Sequence, residues 1–396
     1  MRSPSPALTN APALGPWRAI LGFGLVSLAA DMVYEGARSI TGPLLAGLGA
    51  SALVVGLVTG AGEAAALLLR LVSGPLADRT ARYWSLTIAG YGLTAICVPL
   101  LAVTPLLGGA GLAVAAVLIV TERIGKAIRS PAKSALLAEA AGAVGRGRGF
   151  AVHKALDQIG AFAGPLLVAA LIVVFTEPGP ALALLAIPGA AAMILLVWIR
   201  RRFPAPSPQD RGVPDTGRLP RRFHWFAVSA GLATGGLLTF GLISYHAAET
   251  GRIPIAAVPV LYAAAMAAGG LAALASGHLY DRWGARVLYA LPVLAAATPA
   301  LALSGGTAAI VAGTMLWGAA VGVQDSTVKA LVADLVAAPR RATAYGVFAA
   351  VQGVAALAGG VLAGALYEQS TALLAVVFAV AQAASAILLT VTLRMR

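Results

Sequence analysis

Long apolar runs follow one another along almost the whole chain, separated by short polar turns. Windows of roughly 20 residues, each long enough to cross a hydrocarbon core of about 30 Å, fall at 17–39, 52–74, 83–104, 109–133, 150–175, 181–200, 224–247, 254–277, 285–303, 306–332, 344–367 and 371–393. The runs are continuous rather than alternating and rich in Ala, Leu and Gly, which predicts helices and not strands. Glycine is costly in an isolated helix in water, but inside a membrane bundle it lets backbones approach closely. The pattern therefore predicts an all-α integral membrane protein of twelve transmembrane helices.

Composition agrees. The chain of 396 residues is 59% hydrophobic and 11% charged, with mean hydropathy +0.87, too little polar surface for a soluble protein of this length. Its net charge of +13 would fit an acidic partner, so the location of that charge decides its meaning. Arg79, Arg82, Arg146, Arg148, Arg200, Arg201, Arg202, Arg211, Arg218, Arg221, Arg222, Arg282, Arg286, Arg340, Arg341, Arg394 and Arg396 all fall in alternate loops or at the C-terminus. The opposite loops carry little beyond Glu177, Glu249, Arg252 and Glu368. This positive-inside asymmetry predicts both termini in the cytoplasm, and the basic balance reports topology rather than nucleic-acid binding.

The remaining chemistry is narrowed by exclusion. Cys97 is alone, which rules out an intrachain disulfide, and His153, His224, His246 and His278 lack metal-ligand spacing, so no metal or cofactor is expected. There is no P-loop and no Ser-His-Asp order, which argues against ATP-driven transport and against an enzyme. Residues 1–16 form a Pro-rich tail without a signal-peptide pattern, so the first helix reads as an uncleaved anchor.

The chain repeats itself. The turn at Arg70–Arg82, RLVSGPLADRTAR, returns as ALASGHLYDRWGAR with an offset of 203 residues, placing Asp78-Arg79 on Asp281-Arg282. A second block, Ala135–Glu139, returns at Ala330–Asp334 with an offset of 195, which also puts Gly164 on Gly359. Two six-helix bundles follow, 17–202 and 223–396, joined by a polar cytoplasmic linker at 203–222. Related halves around a midplane cavity are a transporter architecture.

At Gly74, Leu76, Asp78, Arg79 and Arg82 the chain resembles the major facilitator superfamily, whose loop between the second and third helices reads approximately G-x-L-x-D-R-x-G-R-R. Ala81 and Tyr83 depart from that pattern, whereas the second copy, with Gly277, Asp281 and Arg282, restores a Gly at Gly284. The resemblance implies that these residues are gating loops, with Asp78 latching the cytoplasmic side. Gly160, Gly164 and Pro165 resemble the antiporter motif of the fifth helix, with Val168 and Ala169 replacing its last two glycines. Arg123 resembles an Arg of the fourth helix that is linked to proton coupling. The run ERIGKAIRSPAKSALLAE is similar to a pattern in one branch of bacterial exporters. The family implies a monomer in a bacterial inner membrane, with protons, a small-molecule substrate and the lipid bilayer as partners.

Charges inside the apolar windows carry the candidate chemistry, because each costs at least ~2.5–3.5 kcal/mol unless it faces water or a partner. They concentrate in the first half, where Glu122, Lys126, Arg129 and Lys133 share one helical face, as do Asp31, Glu35 and Arg38. A proton carrier must change protonation during the cycle. A carboxyl beside a second acid does so more readily than one beside a base. Asp31, expected at the depth of Glu63 and one turn from Glu35, and Glu63 itself therefore rank first as carriers. Glu122 follows, with Arg123 and Asp157 as further coupling candidates, and Tyr34, Glu35, Arg38, Lys126, Arg129 and Gln352 are candidates for the substrate cavity. Trp17, Trp84, Trp198 and Trp225, near helix ends, read as interfacial anchors.

These features point to proton-coupled efflux of a small organic compound by alternating access. The alternatives are an importer or uniporter of a small anionic solute, and a transport-inactive sensor or scaffold. If Asp78 is the latch, Asp78→Asn will keep expression and insertion, lower transport and favour an inward-open form. Cysteine labelling in the basic loops reads the bias, and wild-type flux would reduce the motif to a topology signal.

Overall fold

A computed structural model describes residues 14–142, 144–203, 218–337 and 340–395. Most of the N-terminal tail, residues 204–217 of the linker (with Arg211), the Arg146 side chain and Arg396 lie outside the described residues. The described residues are helical, with no strand. They contain ten helical stretches long and apolar enough to cross a membrane, two of which, Tyr83–Gly142 and Ile255–Ala302, run to 60 and 48 residues.

The first half comprises α1 (Pro16–Ser39), α2 (Thr41–Gly47), α3 (Ala52–Leu68), α4 (Arg70–Thr80), α5 (Tyr83–Leu100), α6 (Gly111–Gly142), α7 (Arg146–Phe175), α8 (Pro178–Leu184) and α9 (Ala186–Arg200). The second comprises α10 (Arg221–Gly235), α11 (Phe240–Glu249), α12 (Val258–Trp283), α13 (Ala290–Ala302), α14 (Thr307–Leu335), α15 (Arg341–Gln369) and α16 (Thr371–Arg394). Within Tyr83–Gly142 the chain doubles back at Gly108, whose φ of 53° suits only a residue without a Cβ. Helices α5 and α6 then run antiparallel, with Gly90 of one against Gly125 of the other.

Three predicted boundaries are corrected. The window at 224–247 is a broken helix, because Gly235-Gly236 ends α10 and Thr239 caps α11 by accepting from the Leu242 amide. The Trp317 indole donates to the freed Leu238 carbonyl at 2.7 Å, so the break leaves this acceptor satisfied. Helix α6 continues nine residues past the expected end at Lys133, because Leu136, Leu137, Ala140 and Ala141 bury into the core of the first half. The Arg70–Arg82 segment is helical through Thr80, and the turn is confined to Ala81 and Arg82.

The repeat seen in the sequence is also a repeat of packing. A Cβ on Gly164 would lie 2.3 Å from the Met32 carbonyl oxygen, and one on Gly359 would lie 2.1 Å from that of Gly235. Met32 and Gly235 are separated by the offset of 203, and Gly164 and Gly359 by the offset of 195. Small residues at these points let α7 seat on α1 and α15 seat on α10.

The hydrophobic core divides unevenly along the membrane normal. One cluster, including Val33, Val55, Ile172, Phe240, Tyr262 and Trp317, spans both halves at the end remote from the Arg-rich loops. At the Arg-rich end there are two clusters, one of residues 19–199 and one of residues 223–389, each confined to its own half. At the remote end Gly42 of α2 abuts the Gly241 carbonyl, and Thr59 and Thr239 share a hydrogen bond of 3.0 Å. Helix α3 packs along α15, where a Cβ on Gly56 would come within 2.1 Å of the Gly360 oxygen. Towards the Arg-rich end the cores of the two halves part, while α15 stays against α3 and α4 as far as Gly346 on Leu71.

Ala81 closes α4 in the left-handed region at φ 50°, and its repeat partner Gly284 has φ 62°. Only the second copy places a glycine where the backbone requires one. Ala81→Gly is expected to raise stability by about 1 kcal/mol, and Gly284→Ala to lower it by at least as much. Melting in detergent measures both.

Candidate functional site

Four helices of the first half converge on a cluster of buried charge. Arg38 of α1 donates from Nη2 to Glu63 Oε1 of α3 at 2.8 Å, and from Nη1 to the Tyr34 hydroxyl at 3.2 Å. Arg123 of α6 approaches the same Glu63 oxygen at 3.8 Å and Glu122 at 3.7 Å. Glu63 thus ties α1, α3 and α6 together. On the α5 side, Arg129 Nη1 donates to Thr94 Oγ1 at 2.6 Å and lies 3.9 Å from Glu122. The Thr94 hydroxyl in turn donates a hydrogen bond to Glu122 Oε1 at 3.0 Å. Glu122, Arg123 and Arg129 are 5%, 8% and 4% exposed, so their charges have little but each other for solvation.

Glycines make this proximity possible. A Cβ on Gly62 would press within 3.0 Å of Arg123 Cγ, and one on Gly90 would sit 2.6 Å from Arg129 Cβ. The buried ring of Tyr34 holds two cations, with Arg123 Cζ 4.3 Å and Lys126 Nζ 3.9 Å from its centroid.

A second polar centre lies one to two turns nearer the Arg-rich end. The Ser27 hydroxyl meets His153 Nε2 at 2.9 Å, the Tyr91 hydroxyl at 3.1 Å and Lys133 Nζ at 3.1 Å. Asp31 adjoins Asp157, Lys126 and Lys133, and Asp157 is paired to Lys154 at 2.6 Å. From the second half, Tyr262 of α12 donates a short hydrogen bond to Glu35. Asp325 of α14, paired to Lys329 at 3.1 Å, has a side chain 68% exposed in mid-helix. Its charge nonetheless acts on Arg38, Arg70, Lys126 and Lys154. A solvated cleft therefore separates α14 from the basic wall of the first half.

Several expectations are redistributed. Glu63 is not the neighbour of Asp31; it is held by two guanidiniums, and the acid beside Asp31 is Asp157. Gln352 is buried between α15 and α10, donating to Thr234 Oγ1 at 3.2 Å, and does not line the cleft. Trp84 is buried and stacked on Phe23 rather than exposed at an interface, whereas Trp17, Trp198 and Trp225 are exposed.

In the loops, Asp78 accepts from the Tyr83 hydroxyl at 3.3 Å, while Arg79, Arg82, Asp281 and Arg282 are exposed. Gly74 and Gly277 make no close backbone approach. Gly160 and Gly164 pack directly on the α1 backbone at Leu28 and Met32, and Pro165 follows within α7. Ser27 and Thr94 were missed from sequence. Their signal was only that polar atoms sat inside apolar runs, and Ser and Thr are too common there to single out.

Membrane-length helices around a charged core define a multi-pass membrane protein. The model of the Major Facilitator Superfamily matches residues 19–249 and 225–396, and the chain belongs to that superfamily of transporters rather than to an enzyme family. An uncharacterized protein of Mycobacterium tuberculosis is 53% identical over 375 residues, covering 92% of this chain and 90% of the relative. An uncharacterized MFS-type transporter of Methanocaldococcus jannaschii is 24% identical, covering 88% of each. The fold is similar to that of the nucleoside transporter NupG, with TM-score 0.75, 14% identity, and 95% of this chain and 99% of that one covered. It is also similar to a peptide transporter of the POT type, with TM-score 0.74, 16% identity, and 97% and 96% covered.

Removing Arg129 would leave Glu122 buried without its main cation. Arg129→Ala is expected to cost about 3–5 kcal/mol. Combining it with Glu122→Gln should recover much of the loss. Melting curves of the single and double variants give the answer, and equal destabilisation in both would mean that the pair is not coupled.

Proposed function

We propose that this transporter is a proton-coupled exporter of a small organic compound, working by alternating access. The observation that carries the reading is Asp31, half-buried beside a second acid, Asp157, the setting in which a carboxyl changes protonation most readily. Glu63, shared by Arg38 and Arg123 on two different helices, is the second carrier. Protonating it would remove the charge that ties α1, α3 and α6 and free both guanidiniums for other partners. Glu122 is the least mobile of the three, fixed by Arg123, Arg129 and Thr94.

The architecture supports this cycle. Doubling the two longest stretches gives twelve crossings in two bundles, 17–202 and 223–396, linked by 203–222. With the Arg-rich loops and both termini in the cytoplasm, the joined end faces outward and the described form is inward-open. The Gly160–Gly164 seam between α7 and α1 supports an exporter, since it resembles the antiporter motif. Asp78 and its repeat partner Asp281 then belong to the gate that closes at the opposite stage of the cycle. The surplus of basic groups in the cleft keeps a second reading alive, uptake or facilitated diffusion of an anionic solute.

Proteoliposomes containing a trapped pH dye, challenged with a panel of organic compounds, test the coupling. The wild type should move protons when a substrate is added and should concentrate that substrate on an imposed pH gradient. Asp31→Asn and Glu63→Gln should each abolish gradient-driven transport while retaining substrate binding. If both variants respond to the gradient as the wild type does, these acids do not couple and facilitated diffusion is favoured.

A further inference from the structure

The polar cluster does not balance its own charge. Seven basic side chains, Arg38, Arg70, Arg123, Lys126, Arg129, Lys133 and Lys154, are grouped with five acids, Asp31, Glu35, Glu63, Glu122 and Asp157. Asp325 and Lys329 on the opposite wall neutralise one another. Among the described residues, every one of those acids except Asp31 has an ion-pair partner, yet Arg70, Lys126 and Lys133 form no ion pair. All three are half-buried, withdrawn from bulk water without being sealed from it.

Two guanidinium nitrogens add to this deficit. Arg123 is 8% exposed, and its buried Nη1 has no hydrogen-bond partner; Arg70 Nε is likewise buried and unpartnered. An unsatisfied donor on a charged group is among the costlier things a protein interior can hold. Arg123 and Lys126 share the Tyr34 ring, so the unpartnered donor and an unpaired ammonium are adjacent.

We infer that Lys126 and Arg123, which share the Tyr34 ring, form a subsite for an organic anion carrying a carboxylate or phosphate group. This deepens the transport reading above and rests on it, by giving the transported compound a charge. An anion of one or two charges would neutralise the surplus and accept from donors that now lack a partner. A guanidinium beside an ammonium suits oxygens spread over a carboxylate or phosphate. A cationic compound would instead meet two like charges.

The test is binding to the purified full-length protein without any gradient, so a failure of proton coupling leaves the result standing. Phenyl phosphate, benzylamine and benzyl alcohol at matched ionic strength are compared by thermal shift. Phenyl phosphate should raise the melting temperature, and the other two should not. Lys126→Gln should weaken the phenyl phosphate response by about 10-fold or more. Because Lys126 loses a cation–π contact with Tyr34 but no ion pair, that variant should change the melting temperature of the unliganded protein little. Lys126→Met gives the same reading if Lys126→Gln cannot be purified, and Arg18→Gln, exposed at the start of α1, should bind as the wild type does. No preference for the anion, or a preference unchanged in the Lys126 variant, overturns the assignment. Transport on a pH gradient with no anion preference would overturn only this subsite.

Discussion

The structure depends on the requirement that charge buried within a membrane bundle be compensated by charge from another helix. A carboxylate or guanidinium facing hydrocarbon costs several kcal/mol, and water can offset this only where a cleft admits it. The first half carries most of the intramembrane charge, so its helices must be close enough for side chains to meet. That proximity comes from glycine. Gly62 makes room for Arg123, and Gly90 against Gly125 brings Arg129 within reach of Thr94. A larger residue at any of these points would separate groups whose mutual solvation keeps them in the membrane.

The same device serves a different purpose between the halves. At the end remote from the basic loops, α3 and α15 approach through Gly56 and Gly360, and α2 meets α11 through Gly42. These contacts are nearly all apolar or backbone, which suits surfaces that must part and rejoin, since no charge is stranded on opening. Polar contacts there include Thr59 with Thr239, the Leu53 amide donating to Glu368, and Tyr262 on Glu35, the last of which connects the closed end to the network of Arg38 and Glu63. Events at the charge cluster therefore have a polar route to the contact between the halves.

The two halves share a packing plan but not its chemistry. Packing repeats with the offsets of the sequence repeat, so α7 on α1 corresponds to α15 on α10. The second half nevertheless places Gln352 and Thr234, a neutral pair, in its interior and keeps its one mid-helix ion pair on the cleft surface. Duplication preserved what geometry requires, small residues at crossings, while charge was concentrated on one side.

How far the sequence determined this protein follows from which forces act locally. Hydrophobicity is a property of consecutive residues, so the membrane-length helices, the Arg-rich loops and the repeat were readable from the string, and Ala81 was marked as a departure before its positive φ was known. Most ionisable members of the site were also readable, because a charge in an apolar run stands out. Their pairing was not. Glu63 meets Arg38 from 25 residues away, Ser27 meets His153 from 126, and Glu35 meets Tyr262 from 227. A helix face can be read from spacing, but which face meets which depends on how closely backbones pack at glycines tens to hundreds of residues apart. Tertiary structure alone decided that Glu63 joins two guanidiniums, that Asp31 lies beside Asp157, and that Lys126 shares the Tyr34 ring with Arg123. The sequence specified the charges, and packing distances determined their partners.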